Sequence, residues 1–248
     1  MSSPLTGPAL ADLPLTGRPS VAVALPVGAT VPRPVVVALH ARGGQPDREC
    51  ARWRGFDAGD WFVLCPRGTP LATEGRPEGY AFDDSATVAG ELRAALAALK
   101  ARFGPHVAPG PVVVVAAGQS AVPALSLALE EPAFFRHLVL IDGGYDRWTS
   151  SIGTRFADRG GASVLFLCSR KPCETGAAAS ATLADRAGLR ARYRKFAAND
   201  AALGRALVAE LPWLTKGDER FERAPPPAPS ASGAPSASVG VRSAAPAP

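Results

Sequence analysis

Residues 111 to 132 read PVVVVAAGQSAVPALSLALEEP, and the reading of this stretch decides the fold. The four consecutive valines, Val112 to Val115, are apolar and β-branched on both faces, the pattern of a parallel strand buried on both sides. Ala116, Ala117 and Gly118 lead through Gln119 and Ser120 into a run that is apolar at Leu125, Ala128 and Leu129, a helical spacing that stops at Pro132. Pro123 is compatible with that helix because it falls in the first turn. A strand, a tight turn with Gly118-Gln119-Ser120 at its apex, then a helix is the geometry that lifts a serine hydroxyl above a sheet edge. The same residues also suit an ordinary strand-to-helix turn whose serine caps the helix.

The surrounding chain repeats the pattern. Pro34 to His40 (PVVVALH), Trp61 to Cys65 (WFVLC), His137 to Ile141 (HLVLI) and Val164 to Cys168 (VLFLC) are further buried-type strands, and Val21 to Leu25 is a short first one. Asp47 to Asp60 reads as a polar crossover, and a glycine- and proline-bearing loop runs from Pro66 to Asp83. Val88, Leu92, Ala95, Leu96, Leu99 and Phe103 recur at helical spacing, with Asp84 near the start and Gly104-Pro105 as the stop. A short alanine-rich helix closes over Thr182 to Ala187, and Leu189 to Phe196 reads as an edge strand. Leu203, Leu207 and Leu211 mark a last helix that ends near Pro212, with Asn199 or Asp200 as its N-cap. Strands alternating with helices predict an α/β fold, a largely parallel sheet covered by helices on both faces. Residues 1–19 read as an irregular arm, 20–223 as the domain, and 224–248, rich in Pro, Ala and Ser, as a disordered tail.

With 47% hydrophobic residues in 248, the chain can bury one sizeable core. The net charge of +5 comes from arginines spread along the chain, densest at Arg186, Arg190, Arg192, Arg194 and Lys195. They read as the solvated face of a strand, and no aromatic platform accompanies them, so no nucleic-acid partner is expected. No apolar run is long enough to span a bilayer.

Ligands of such sheets bind beyond the carboxyl ends of the strands, which restricts the residues that can share a site. Of the three histidines, His106 and His137 fall near the opposite edge, and only His40 ends a strand on the correct side.

Residues 34 to about 221 resemble the α/β-hydrolase superfamily, most closely its small esterase and dienelactone-hydrolase-like members. The resemblance rests on Pro34 to Gly44, the strand ending at Cys65-Pro66-Arg67-Gly68, the turn Gly118-Gln119-Ser120, and the strand–helix order that follows. It implies Ser120 as nucleophile, with the backbone N–H groups of Ala41 and Ala121 as oxyanion donors. The family also needs an acid and then a histidine later in the chain, because a serine hydroxyl is a poor nucleophile until a base takes its proton. The loop after Cys168 has no carboxylate before Glu174, which leaves Asp142 as the substitute acid. No histidine follows His137, and the connection that should carry it reads Ala197-Ala198-Asn199-Asp200. His40 or Asp200 would then have to serve as base. The family's last motif glycine is Val122 here, which bears on how tightly the turn can pack.

The implied function is a hydrolase-like protein with an incomplete triad that binds an ester-like small molecule. The alternative is an active serine hydrolase of esters or thioesters with an unorthodox base. No cofactor is expected, and no metal, since neither cysteine spacing is C-x-x-C and no histidine stands near either pair. On the first reading Ser120→Ala would leave stability nearly unchanged.

The four cysteines form two local pairs, Cys50 with Cys65 and Cys168 with Cys173, which suggests two disulfides. Pairing implies export or a periplasmic location, with a start further upstream, because Met1 to Pro19 lacks the features of a signal peptide. Unpaired cysteines imply the cytoplasm. A redox role for Cys168 and Cys173 is a third reading.

Overall fold

The computed structural model describes residues 2–56, 60–73 and 76–222; the tail expected from Ala224 onward lies outside the described residues. In chain order the elements are β1 (Leu10–Leu15), β2 (Arg18–Ala24), β3 (Val35–Leu39), α1 (Pro46–Phe56), β4 (Phe62–Cys65), β5 (Thr69–Thr73), β6 (Arg76–Ala81) and α2 (Ser85–Phe103). There follow β7 (Val113–Ala117), α3 (Ala121–Glu130), β8 (His137–Ile141), α4 (Ser150–Asp158), β9 (Ser163–Cys168), α5 (Lys171–Arg186), β10 (Arg190–Lys195), α6 (Asp200–Leu214) and α7 (Glu219–Glu222).

Eight strands form one sheet in the order β1-β2-β4-β3-β7-β8-β9-β10. From β4 to β10 every neighbouring pair is parallel, and β2 is antiparallel to both β1 and β4. The expected largely parallel sheet is therefore present.

The valine runs explain why both faces are covered. Val35, Val37, Val112, Val114, Leu138, Leu140, Val164 and Phe166 point to one side, where α2, α3, α4 and α5 lie. Val36, Val113, Val115, Val139, Ile141, Leu165 and Leu167 point to the other, against Trp53 of α1 and Leu203, Leu207 and Leu211 of α6. A strand with a single covered face would need a polar residue at every second position, and these strands have none.

The register aligns the strand ends. Val113, His137, Ser163 and Arg190 form one row at the amino-terminal edge. At the carboxyl edge Ala117 pairs with Ile141, Ile141 with Leu167, and Cys168 with Lys195. The residues that follow, Gly118, Asp142, Ser169 and Phe196, are brought to one place by this alignment.

Several expectations are corrected. The arm placed at 1–19 contains β1, whose residues Leu10 to Leu13 pair with Ala24 to Val21, so the sheet begins at Leu10. Leu13 and Leu15 alternate with exposed residues, a half-buried edge pattern too short to stand out. The polar crossover after Asp47 is the helix α1, which buries Cys50 and Trp53. The loop from Pro66 to Asp83 holds the antiparallel hairpin β5–β6. The alanine-rich helix is 16 residues long and opens at Lys171, with Pro172 in its first turn. Pro212 lies inside α6, which continues to Leu214. Asp84, expected near the start of α2, is its N-cap, and of Asn199 and Asp200 it is Asn199 that caps α6; each side chain accepts an N–H three residues on.

Candidate functional site

A cavity of about 330 Å3 opens at the carboxyl edge of the sheet, walled by Ala41, Gly118, Asp142, Ser169, Phe196 and Asp200 among others. Each follows a strand end or opens a helix, so the register of β3, β7, β8, β9 and β10 builds the cavity directly.

The turn after β7 differs from the expected one in a way that matters chemically. Its left-handed residue is Gly118, with φ of +59°, whereas Ser120 is helical at φ −68° and ψ −13°. Glycine takes positive φ without the Cβ penalty that serine would meet, so the sharp bend settles on Gly118. Two residues later the chain is already turning as a helix, and Ser120 points down into the molecule. It is only 3% exposed and does not line the cavity. Its hydroxyl donates to Ala117 O at 2.8 Å, with Leu39 O at 3.2 Å, and accepts the Ala117 N–H at 3.1 Å. The residue placed as nucleophile thus ties the ends of β3 and β7 together.

Ser120→Ala should therefore not be silent for stability, contrary to the expectation from sequence. It leaves buried main-chain groups short of a partner, which costs about 1 to 3 kcal/mol. A thermal or urea melt of the variant checks this; an unchanged midpoint contradicts it.

Of the other expected site residues, Ala41, Asp142 and Asp200 line the cavity, whereas His40 and Ala121 do not. The Ala121 N–H already donates to Gly118 O and Gln119 O, so it is not free as an oxyanion donor. Ala41 lines the cavity and is exposed. His40 is 1% exposed, and its ring nitrogens stand 2.9 Å from Ala41 O and 3.0 Å from Arg67 O. Its ring also lies 4.6 Å from that of Phe82. These contacts clamp the 40–44 loop to the end of β4 and leave neither nitrogen aimed at Ser120. Asp200, exposed on the cavity wall, forms an ion pair there with Arg52 at 3.0 Å.

Asp142 does reach the cavity. Its Oδ1 accepts the Ser169 N–H at 2.8 Å and its Oδ2 accepts the Ser169 hydroxyl at 2.5 Å. Val122, in place of the motif glycine, is 37% exposed and so obstructs nothing. The close approach is made by Gly143 instead, where an added Cβ would come within 2.0 Å of Gly118 O. That glycine is on the neighbouring turn, outside the motif.

A second serine–histidine–aspartate group lies at the opposite edge. His137 Nδ1 is 2.7 Å from Ser163 Oγ, and His137 Nε2 is 3.5 Å from Asp218 Oδ2, too long for a good hydrogen bond. Ser163 is fully buried and donates to Leu214 O at 2.8 Å, so no substrate can reach it. Burial pushes His137 down to about 4, outweighing the pull of the Asp218 carboxylate; Arg190 and Arg136 add to the downward push. Burial alone would raise the Asp218 carboxyl, but the Arg220 guanidinium holds it below its ordinary value. This group is structural, pinning the segment after α6 to the amino-terminal edge.

Both cysteine pairs are at bonding distance, with Cα separations of 5.8 Å for Cys50–Cys65 and 5.5 Å for Cys168–Cys173. Cys65 faces the α1 side of the sheet and Cys168 the α5 side, so each bond fastens a different helix layer. Among the described residues no cluster of three or more His, Cys, Asp or Glu could hold a metal ion, and no helix is long and apolar enough to cross a membrane.

No protein-family model and no curated protein matches the sequence. Solved structures do match. Poly(aspartic acid) hydrolase-1 from Sphingomonas sp. KT-1 is similar with a TM-score of 0.54 at 11% identity, over 82% of this chain and 98% of that one. S-formylglutathione hydrolase FrmB from Staphylococcus aureus gives 0.57 at 11% identity, over 85% and 98%. Est1E from Butyrivibrio proteoclasticus gives 0.56 at 10% identity, over 87% and 100%.

The chain has the α/β-hydrolase fold. No large cap domain is inserted among the described residues, where the insertion between β4 and α2 is the short β5–β6 hairpin. Within an α/β-hydrolase fold the turn after β7 is the sharp strand-to-helix elbow, and here its left-handed residue is Gly118. The connection after β10, where such a fold carries its histidine, contributes Phe196, Ala198, Asn199 and Asp200 to the cavity wall. The sequence signal that could have found this bend is Gly118 itself, the one residue between Ala116 and Val122 that takes positive φ freely.

Proposed function

We propose that this protein binds a small ester-like molecule in the cavity above β3, β7, β8 and β9, and turns it over very slowly or not at all. The observation that carries the reading is the bend at Gly118: it keeps the ligand cradle of the fold and removes the side chain that would attack. The apolar wall of Ile141, Phe196 and Leu203 suits an acyl chain, and Asn199 and Ser169 offer polar contacts at its rim. The rival reading, a hydrolase of esters or thioesters with Ser120 as nucleophile, is weakened by the burial of that hydroxyl and by its hydrogen bonds to main chain. The paired cysteines suit an oxidising compartment, and we place the protein outside the cytoplasm on that ground.

The test is ligand protection. Short-chain esters should raise the melting temperature of the wild type, and Ala198→Trp, which fills the cavity from an exposed position, should abolish that shift. Protection that survives in Ala198→Trp places the ligand elsewhere and defeats the proposal.

A further inference from the structure

The cavity wall carries a serine hydroxyl, and it is Ser169. Its 2.5 Å hydrogen bond to Asp142 Oδ2 falls in the range of charge-assisted O–H···O contacts, in which the carboxylate draws on the hydroxyl proton. Asp142 is held rigidly for this. It is the only non-glycine among the described residues with positive φ, at +50°, a conformation that persists where surroundings enforce it. The Asp142 N–H donates to Leu167 O at 2.9 Å, and the next residue, Gly143, is wedged against Gly118 O. Arg170 completes the setting, with Nη2 donating to Asp142 O at 3.3 Å and Nε 4.0 Å from Oδ1.

We propose that Ser169 is the group of this cavity that reacts with activated phosphonyl and acyl electrophiles, Asp142 taking its proton. The proposal rests on the cavity being the ligand site and adds a covalent step to it. With a fluorophosphonate, the Ser169 Oγ–P bond forms as the P–F bond breaks, fluoride leaves to water, and the hydroxyl proton passes to Asp142 Oδ2 and then to solvent. An activated aryl ester reacts alike: the Ser169 Oγ–C bond forms as the acyl C–O bond to the aryl group breaks, and the phenolate leaves to solvent. A carboxylate is a feeble base toward a serine hydroxyl, so only electrophiles with good leaving groups react. That restriction fits a binding protein with little turnover.

The experiment treats the native protein with an alkyl fluorophosphonate and maps the adduct by peptide mass spectrometry, with a denatured control. The expected result is one adduct, on the peptide carrying Ser169. Labelling should be lost in Ser169→Ala and slowed at least tenfold in Asp142→Asn, both checked for folding by their melts. An adduct on Ser120, or none above the control, overturns the assignment. Ester protection of the wild type without any adduct overturns this step alone, whereas loss of protection as well overturns the cavity reading.

Discussion

Acidification from pH 7 to pH 4 should cost the folded protein roughly 3 kcal/mol through His137 alone, each tenfold change in proton affinity being worth about 1.4 kcal/mol. In the unfolded chain the imidazole titrates near its ordinary value of 6.5, and in the fold burial holds it near 4. Between those values the unfolded chain binds a proton that the folded one refuses. The stabilisation is therefore complete above about 6.5 and is lost progressively as the pH falls toward 4. Asp218, Arg190 and Arg136 are the charged groups that act on the ring, and Ser163 holds its other nitrogen. Urea midpoints measured across this window should fall in the wild type. In His137→Gln the starting stability should be lower and the slope between 6.5 and 4 should flatten. A wild-type midpoint that is constant from pH 7 to 5, or an equal slope in the variant, rules the mechanism out.

Removal of the Cys50–Cys65 bond, as Cys50→Ala with Cys65→Ala, should cost about 3 kcal/mol by the chain-entropy relation for a loop of this length. The bond spans a sequence separation of 15 and ties α1 to the end of β4, with both cysteines fully buried. The Cys168–Cys173 bond spans a separation of 5, and the same relation gives it about 2 kcal/mol. Thermal melts of the two double variants should therefore rank Cys50–Cys65 as the more damaging loss. The opposite order, or no loss in either, would show that the cross-links do not carry the stability assigned to them.

The parts of the fold that were legible in the sequence are those where one force dominates. Val35 to Val37 and Val112 to Val115 are apolar at consecutive positions, and only burial on both faces of a sheet accounts for that. Asp84 was readable as a helix start, and Asn199 or Asp200 as a cap, because a short polar side chain before an apolar periodic run has few other uses. β1 was not legible, because an edge strand with only Leu13 and Leu15 turned inward resembles an arm. α4 was missed for a related reason: its buried residues are Gly153 and Phe156, with Ile152 and Ala157 only partly buried against the core. Pro212 was read as a stop, but α6 continues past it to Leu214, which is fully buried against the sheet.

The site was legible in place but not in register. The strand–turn–helix pattern located the turn correctly, and the motif then drew attention to Ser120. Which residue occupies the bend is set by backbone energetics, and Gly118 takes positive φ more cheaply than any neighbour. The role of Ser169 depends on β8 and β9 ending side by side, a long-range pairing that no local pattern displays.

Ser120 ties the ends of β3 and β7 through main-chain hydrogen bonds, and on the proposed function it does not act as a nucleophile. The most direct measurement is hydrolysis of p-nitrophenyl esters by wild type and Ser120→Ala, at a temperature where melts show both to be folded. Any slow release in the wild type should persist at the same rate in Ser120→Ala. A wild-type rate well above background that disappears in Ser120→Ala would contradict the account.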